Sequence, residues 1–388
     1  MGIFSSCKRD EIKDKPADPK TGATPKSTSK SKYQPKETFV FYSIPAGTIA
    51  DHSDATITGS IAWYLATYGG GTATSPNTFY LSTNGTYTCQ RTITLPAYAR
   101  ISEGTGVTEA VIQCDPATNW QKMVGYDNML LHMYTGSMLM NVELRLNWKA
   151  GIGVYANGAN GVRILDVAIS NSAKAPKTEG VSYLTYIVDS DNIIIDQCLL
   201  RRAGCENTES IFERWGYCIQ LIRGNNGTIS NNDLETSTSA GLAFFQSTNL
   251  KIDNNLIQDT GRANVPEFAA DGITSYHEGL GTLSRDILIK NNTIRDSKNH
   301  GMHVSGYGIT ITGNNISGSK GGANIYLGDQ RMPPDCSADI WVTGNTLGPQ
   351  KAAYSIYRNH VISSRIYISD NTGSTSVQPA IDCTYFKW

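Results

Sequence analysis

No apolar run in the sequence approaches the roughly 18 residues of a membrane-spanning helix, so no transmembrane helix is expected. Net charge is also nearly absent: 33 Lys and Arg against 34 Asp and Glu leave −1. Without a basic excess, no nucleic-acid partner is expected. The eight cysteines form no CxxC and no Cys/His metal spacing, which removes the zinc and redox-motif readings. No cofactor is implied by any motif, and for calcium there is no clear acidic cluster.

What the chain does carry is one short phrase, written again and again. It reads LKIDNNLI (250–257), ILIKNNTI (287–294), ITITGNNI (309–316) and IWVTGNTL (340–347). Each copy alternates at the period of a strand, then places two polar residues and an Asn before the next apolar position. Fainter copies lie at 162–169, 193–200, 227–234 and 366–373. With the Asn position as marker, the series runs 167, 198, 232, 255, 292, 314, 345 and 371. The shortest spacings define a bare unit of three short strands, and the longer ones add loop insertions. A leucine-rich repeat would need a Leu-rich consensus and a helical arc, and a propeller blade would need four strands in about 40 residues. The remaining fold is all-β, a single-stranded parallel β-helix. In it the Asn residues 232, 255, 292, 314 and 345 form a column that satisfies buried polar groups and does no chemistry. Cys89 and Cys114, or Cys198 and Cys218, lie about one coil apart and are candidates to face each other. Cys198, at an Asn-column position, reads equally as a small buried thiol.

Residues 1–38 are another material, rich in Lys, Pro, Ser and Thr and nearly free of apolar residues, and are expected to be a disordered tether or attachment arm. Phe4-Ser5-Ser6-Cys7 resembles the end of a bacterial lipoprotein signal, and a lipid on Cys7 would be the chain's one link to a membrane. The stretch before it is too short for a signal peptide, and an ordinary exposed thiol is the alternative. The β-helix domain is expected over 39–388, with an opening cap at 45–110, coils over about 130–375 and a C-terminal cap at 376–388. Within the cap, DATITGSIAWYLATYGGG (54–71) reads as a short helix. Asp54 is its candidate N-cap, Ile57, Ile61, Tyr64 and Leu65 its apolar stripe, and Gly69 its stop.

That helix, the Gly run, TFYLSTNGTYTC and RTITLPAYARISEGTG together resemble the opening of the pectate-lyase-like superfamily, over roughly residues 45–375. The resemblance implies a right-handed parallel β-helix behind an N-terminal capping helix, with an active cleft on one sheet. The superfamily holds lyases, hydrolases, epimerases, phage tailspikes and adhesins, so it implies no single substrate.

The strands between the Asn bends read GIGVYA (151–156), CIQLI (218–222), GLAFF (241–245), GITSY (272–276), GMHVS (301–305) and ANIYL (323–327). Alternation turns Ile219, Leu221, Leu242, Phe244, Ile273, Met302, Val304, Ile325 and Leu327 inward. Gln220, Ala243, Thr274, His303 and Tyr326 then form one outward file. Insertions before and after these strands would wall a groove suited to a polymer. Its central coils gather Asp271, Tyr276, His277, Glu278, His300, His303, Tyr326, Asp329 and Arg331.

Elimination from a uronic acid needs a base near neutral pH and a cation that neutralises the carboxylate. His303 or Tyr276 is the candidate base and Arg331 or Arg262 the neutraliser. A hydrolase needs two carboxylates flanking the bond, for which Asp271, Glu278 and Asp329 are candidates. His277 completes the catalytic candidates. Tyr326, His300, Asp329, Gln220, Arg262 and Thr274 are the candidate substrate-binding residues. Tyr276-His277-Glu278 and His300-Gly301 resemble signatures of mannuronan epimerases, without the Asp-Pro between Tyr and His. The expected function is an extracellular or cell-surface polysaccharide-active enzyme, a lyase before an epimerase or hydrolase. The alternative is a glycan-binding or structural β-helix, such as a homotrimeric phage tailspike on a virion surface or an adhesin.

Overall fold

The computed structural model describes residues 40–118, 129–172, 182–204, 216–261, 270–275, 283–328 and 336–383. The predicted tether with Cys7 and residues 384–388 of the predicted C-terminal cap lie outside these. Every repeat phrase ends one strand, turns, and begins the next. One coil runs through Lys251–Asp253, Leu256–Thr260 and Ile273–Ser275; the next runs through Arg285–Lys290, Thr293–Arg295 and Met302–Val304. Successive coils stack in parallel and in register, giving sheets of 12, 11 and 11 strands. The result is a right-handed parallel β-helix, as the repeats and the superfamily resemblance led one to expect. We call these the first sheet, holding Lys251–Asp253, the groove sheet, holding Ile273–Ser275, and the third sheet, holding Leu256–Thr260.

Register keeps like on like. Ile252, Ile289, Ile311 and Val342 are successive partners in the first sheet, and all are buried. The inward residues predicted for the groove sheet, Ile219 to Leu327, are likewise fully buried in the single core that runs up the coil.

The bends explain the two polar residues and the Asn. The residue before each ladder position adopts the left-handed conformation: Asn231 (φ 57°), Asn254 (56°), Asn291 (56°), Gly313 (65°), Gly344 (65°) and Asp370 (56°). Asn, Asp and Gly are the residues that tolerate it. The next Asn then bridges coils. Asn292 Oδ1 accepts from Asn255 N–H and Nδ2, both at 2.9 Å, while Asn292 Nδ2 donates to Ile252 O at 3.0 Å and to Asn314 Oδ1 at 3.0 Å. The same pattern links Asn232 to Asn255, Asn314 to Asn345 and Asn345 to Asn371. Cys198 occupies the column ahead of Asn232, its N–H donating to Asn232 Oδ1 at 2.9 Å. Burial pushes its thiol up to about 12.

Helix α1 spans Ile61–Tyr68 and buries Ile61 and Leu65. It packs against Ile93–Leu95 and Val40–Ile44, the end strands of the groove sheet and the first sheet, and so covers the N-terminal mouth of the coil. Its N-cap is Ser60, whose Oγ accepts from Trp63 N–H at 2.9 Å, and Gly69 stops it. Asp54 does not cap the helix: it holds a turn ahead of it through Thr56, and Ile57 lies before the first helical residue.

The cysteine expectation divides. Cys89 and Cys114 are register partners, buried and unbridged. Cys198 and Cys218 do not pair; Cys218 Sγ lies against Leu200 O. Among the described residues one disulfide joins Cys336 to Cys383, with Cα atoms 6.0 Å apart, tying the last described residues to the strand that opens at Ala338.

Candidate functional site

The outward file of the groove sheet is continuous. Register pairs His132, Tyr155, Tyr186, Gln220, Ala243, Thr274, His303, Tyr326 and Tyr357 in turn. Sequence alternation therefore placed Gln220 to Tyr326 on one line correctly. It did not foresee that the line is covered. Gln220 is 5% exposed, Thr274 0%, His303 7% and Tyr326 5%. These four residues, at the centre of the expected open groove, are nearly buried, while His132 and Tyr357 toward the ends of the file are half-buried. Toward the N-terminus, Tyr155, Tyr183, Tyr186 and Tyr217 stack in a second apolar cluster outside the core, Tyr183 on Tyr186 at 4.2 Å.

Glycine sets the column beside this file. A Cβ on Gly241, Gly272 or Gly301 would collide with the Ile of the adjoining strand, respectively Ile257, Ile294 and Ile316. The leading Gly of GLAFF, GITSY and GMHVS thus lets two sheets meet closely. The residues just before them, Ala240, Asp271 and His300, stack one coil apart, through Gly241 N–H to Asp271 O and Gly272 N–H to His300 O.

Asp271 is wholly buried. Its Oδ1 accepts from His300 N–H at 3.0 Å and Asn299 Nδ2 at 3.2 Å, so it bonds the next coil rather than capping its own turn. Its Oδ2 has no hydrogen-bond partner among the described residues and lies 3.8 Å from His303 Nδ1. Burial raises the carboxyl to about 7, against the pull of the His300 and Asn299 donors and of the nearby Thr274 hydroxyl. Gln220 Oε1, on the file, is also buried with no hydrogen-bond partner among the described residues, and Thr274 Oγ1 is buried beside the Asp271 carboxyl.

His303, a candidate base on the outward file, is engaged by protein groups: its Nε2 lies 3.1 Å from Gly328 O, an acceptor only, so Nε2 carries hydrogen and Nδ1 faces Asp271. His300 Nδ1 accepts from Ala323 N–H at 2.9 Å, which puts its ring hydrogen on Nε2. Burial, then the neighbouring His303, lower His300 to about 3, so it is neutral. Gly322 is required beside it, since a Cβ there would strike Nδ1. Tyr326 stands edge-on to His303 at 4.6 Å and parallel to Tyr357 at 5.9 Å, and its Oη accepts from Asn359 Nδ2 at 2.6 Å.

Asp271, His300, His303 and Tyr326 are therefore brought together, and Thr274 and Gln220 lie on the same file. Tyr276, His277, Glu278, Arg262, Asp329 and Arg331 lie outside the described residues. Sequence reasoning missed Asn299, Asn359 and Tyr357. Extending the file by one coil into SIYRN would have found Tyr357. Among the described residues, no group of three or more His, Cys, Asp or Glu side chains is arranged to hold a metal ion.

Residues 130–347 match the family described as right handed beta helix region. The chain is similar to solved structures of the same fold. A polygalacturonase from Erwinia carotovora ssp. carotovora is 10% identical, over 90% of this chain and 100% of that one, with a TM-score of 0.57. An endo-xylogalacturonan hydrolase from Aspergillus tubingensis is 12% identical over 88% and 94%, with a TM-score of 0.60. The Dettilon tailspike protein is 12% identical over 86% and 68%, with a TM-score of 0.58. At these identities the likeness shows the fold. No curated protein sequence matches the chain.

Proposed function

The chain belongs to the right-handed β-helix family, and on that premise we propose that it is an extracellular enzyme acting on an acidic polysaccharide by proton transfer at a uronic acid unit. The observation that carries this is the Asp271–His303 pair. A carboxyl sealed from water and held near neutrality beside an imidazole is costly to the fold, and such groups concentrate where protons are moved. Two of the similar structures, a polygalacturonase and a xylogalacturonan hydrolase, support a uronate-containing polymer. The Cys336–Cys383 disulfide suits an oxidising compartment.

In the lyase form of the reaction, Tyr276 takes the C5 proton, or His303 takes it at Nε2 after Nε2 leaves Gly328 O and its hydrogen moves to Nδ1, toward Asp271. The C4–O bond then breaks, a C4–C5 double bond forms, and the leaving oxygen takes its proton from the protonated base. Asp271 exchanges that proton with His303. His300 offers its Nε2 hydrogen, Tyr326 is a ring platform, and Arg331 or Arg262 offsets the uronate charge. The hydrolase form would pair Asp271 with Glu278 or Asp329. No cofactor is assigned.

The binding-only alternative draws on one observation: both ring nitrogens of His303 already face protein groups. Under that reading a homotrimer like a tailspike would hold glycan without turnover. The deciding experiment incubates the protein with alginate, pectate, hyaluronan, chondroitin and capsule extracts, following ultraviolet absorbance of unsaturated uronate and the release of reducing ends. A signal on one polymer, lost in His303→Ala and Asp271→Asn, is expected. Silence in both assays, with polymer retained by the protein, would overturn the enzyme reading.

A further inference from the structure

The first sheet carries a feature that the groove does not explain. Trp341 and Tyr367 are register partners on its outward side, on the last two coils. Their rings lie 5.4 Å apart and 11° from parallel, and they are 38% and 47% exposed. The residues two before and two after them in sequence frame them on both sides. One rim is Thr343 and Ser369, in register, with Thr312 one coil before. The other is the Asp339–Arg365 ion pair, whose Nε–Oδ1 distance is 2.7 Å. Behind the strip, Ile340 and Val342 are buried in the core, so the aromatic rings add nothing to it.

Leaving two large aromatic surfaces in water forfeits burial that such side chains ordinarily gain. The patch is two aromatic side chains with polar residues on both rims, whereas a stable protein interface has a continuous apolar centre within roughly 800 Å² from each partner. Its form matches a sugar. A pyranose ring has a C–H face that lies on an aromatic ring and a rim of hydroxyls that both donate and accept hydrogen bonds. Here an aromatic strip two coils long is bordered by hydroxyls on one side and by a carboxylate and a guanidinium on the other. Adjacent coils are about 4.8 Å apart, so a strip of two coils spans a short run of linked pyranose units.

We propose that the Trp341–Tyr367 strip is a second glycan-binding site, which grips pyranose units of a polysaccharide on the first sheet, away from the groove. It shares a ligand class with the proposed function but none of its residues.

The test is native electrophoresis of the full chain through gels containing pectate, alginate or xylan, comparing wild type, Trp341→Ala/Tyr367→Ala and His303→Ala, with light scattering of each. Wild type and His303→Ala are expected to be retarded alike in at least one gel. The double variant should need about tenfold more polymer for the same retardation, the loss expected for one or two stacking contacts. Equal retardation of wild type and double variant in every gel, or no retardation of wild type in any, would overturn the proposal. So would a double variant whose mass falls to monomer while retardation persists, because the strip would then be a contact between copies. Retardation does not depend on turnover, so an inactive groove leaves this readout intact.

Discussion

Replacing Asp271 by Asn should make the protein more stable in mildly alkaline solution while removing its proton chemistry. The carboxyl has an ordinary pKa of 3.8 in the unfolded chain and about 7 in the fold. Between those values the folded state binds the extra proton, so wild-type stability falls as pH rises from about 4 to about 7. Below the lower value both states are protonated and no penalty exists; above the upper one the full penalty is present. At about 1.4 kcal/mol per pH unit it amounts to about 4 kcal/mol. Asn keeps an oxygen to accept from His300 N–H and Asn299 Nδ2, and turns its NH₂ toward His303 Nδ1. Urea unfolding of both proteins at about pH 4 and about pH 8 isolates position 271 and its coupling to His303, because titrating groups remote from it cancel between them. The expected result is near equality in acid and a variant more stable by up to about 4 kcal/mol in base. A variant less stable than wild type at about pH 8 would refute the reasoning. It would mean that Asp271 is ionised against a protonated His303, since removing one partner of a buried ion pair costs about 3–5 kcal/mol.

Two further substitutions test the scaffold around the site. Asn292→Ala removes the acceptor of two Asn255 donors and the donor to Ile252 O, and should cost about 4 kcal/mol in urea unfolding followed by circular dichroism. Asn371→Ala, at the half-buried end of the ladder, should cost less, and equal costs would deny that burial sets the magnitude. Gly322→Ala places a methyl against His300 Nδ1 and turns the ring off Ala323 N–H. Product formation should drop about tenfold or more with the far-ultraviolet spectrum unchanged, a loss of about 1.4 kcal/mol in the transition state. Unaltered activity would remove His300 from the site.

The fold was legible because a solenoid writes its period into the chain. Asn292 and its ladder partners recur with the same flanking alternation, and a one-residue slip would turn Ile289 and Ile311 out of the core, so the register had no competitor. The same alternation placed Thr274, His303 and Tyr326 on one file. Period 2 says which side of a sheet a residue takes, not what lies over that side. Thr274 and Leu242 face opposite ways and are equally buried. The picture of an open floor failed for that reason: His303 lies on the outward file and is nonetheless 7% exposed.

Contacts that cross coils at unequal distances in sequence were beyond reach altogether. Asp271 Oδ1 meets His300 N–H across 29 residues, and Tyr326 Oη meets Asn359 across 33. Cys336 and Cys383 bridge across 47, a separation no single repeat would suggest. What links the three is that each binds one coil to a later one through a side chain. The Asn ladder does the same at every turn, and in the ladder both the oxygen and the nitrogen of each Asn are spent on neighbouring coils. Asp271 departs from that economy. One oxygen serves the next coil as a ladder residue would, and the other is kept, buried and without a hydrogen bond, toward His303. A position needed only for the fold would be served as well by Asn, at no cost in charge. The carboxylate at that place is therefore the strongest argument that the groove sheet does chemistry, and the stability of Asp271→Asn in base is where that argument is most exposed.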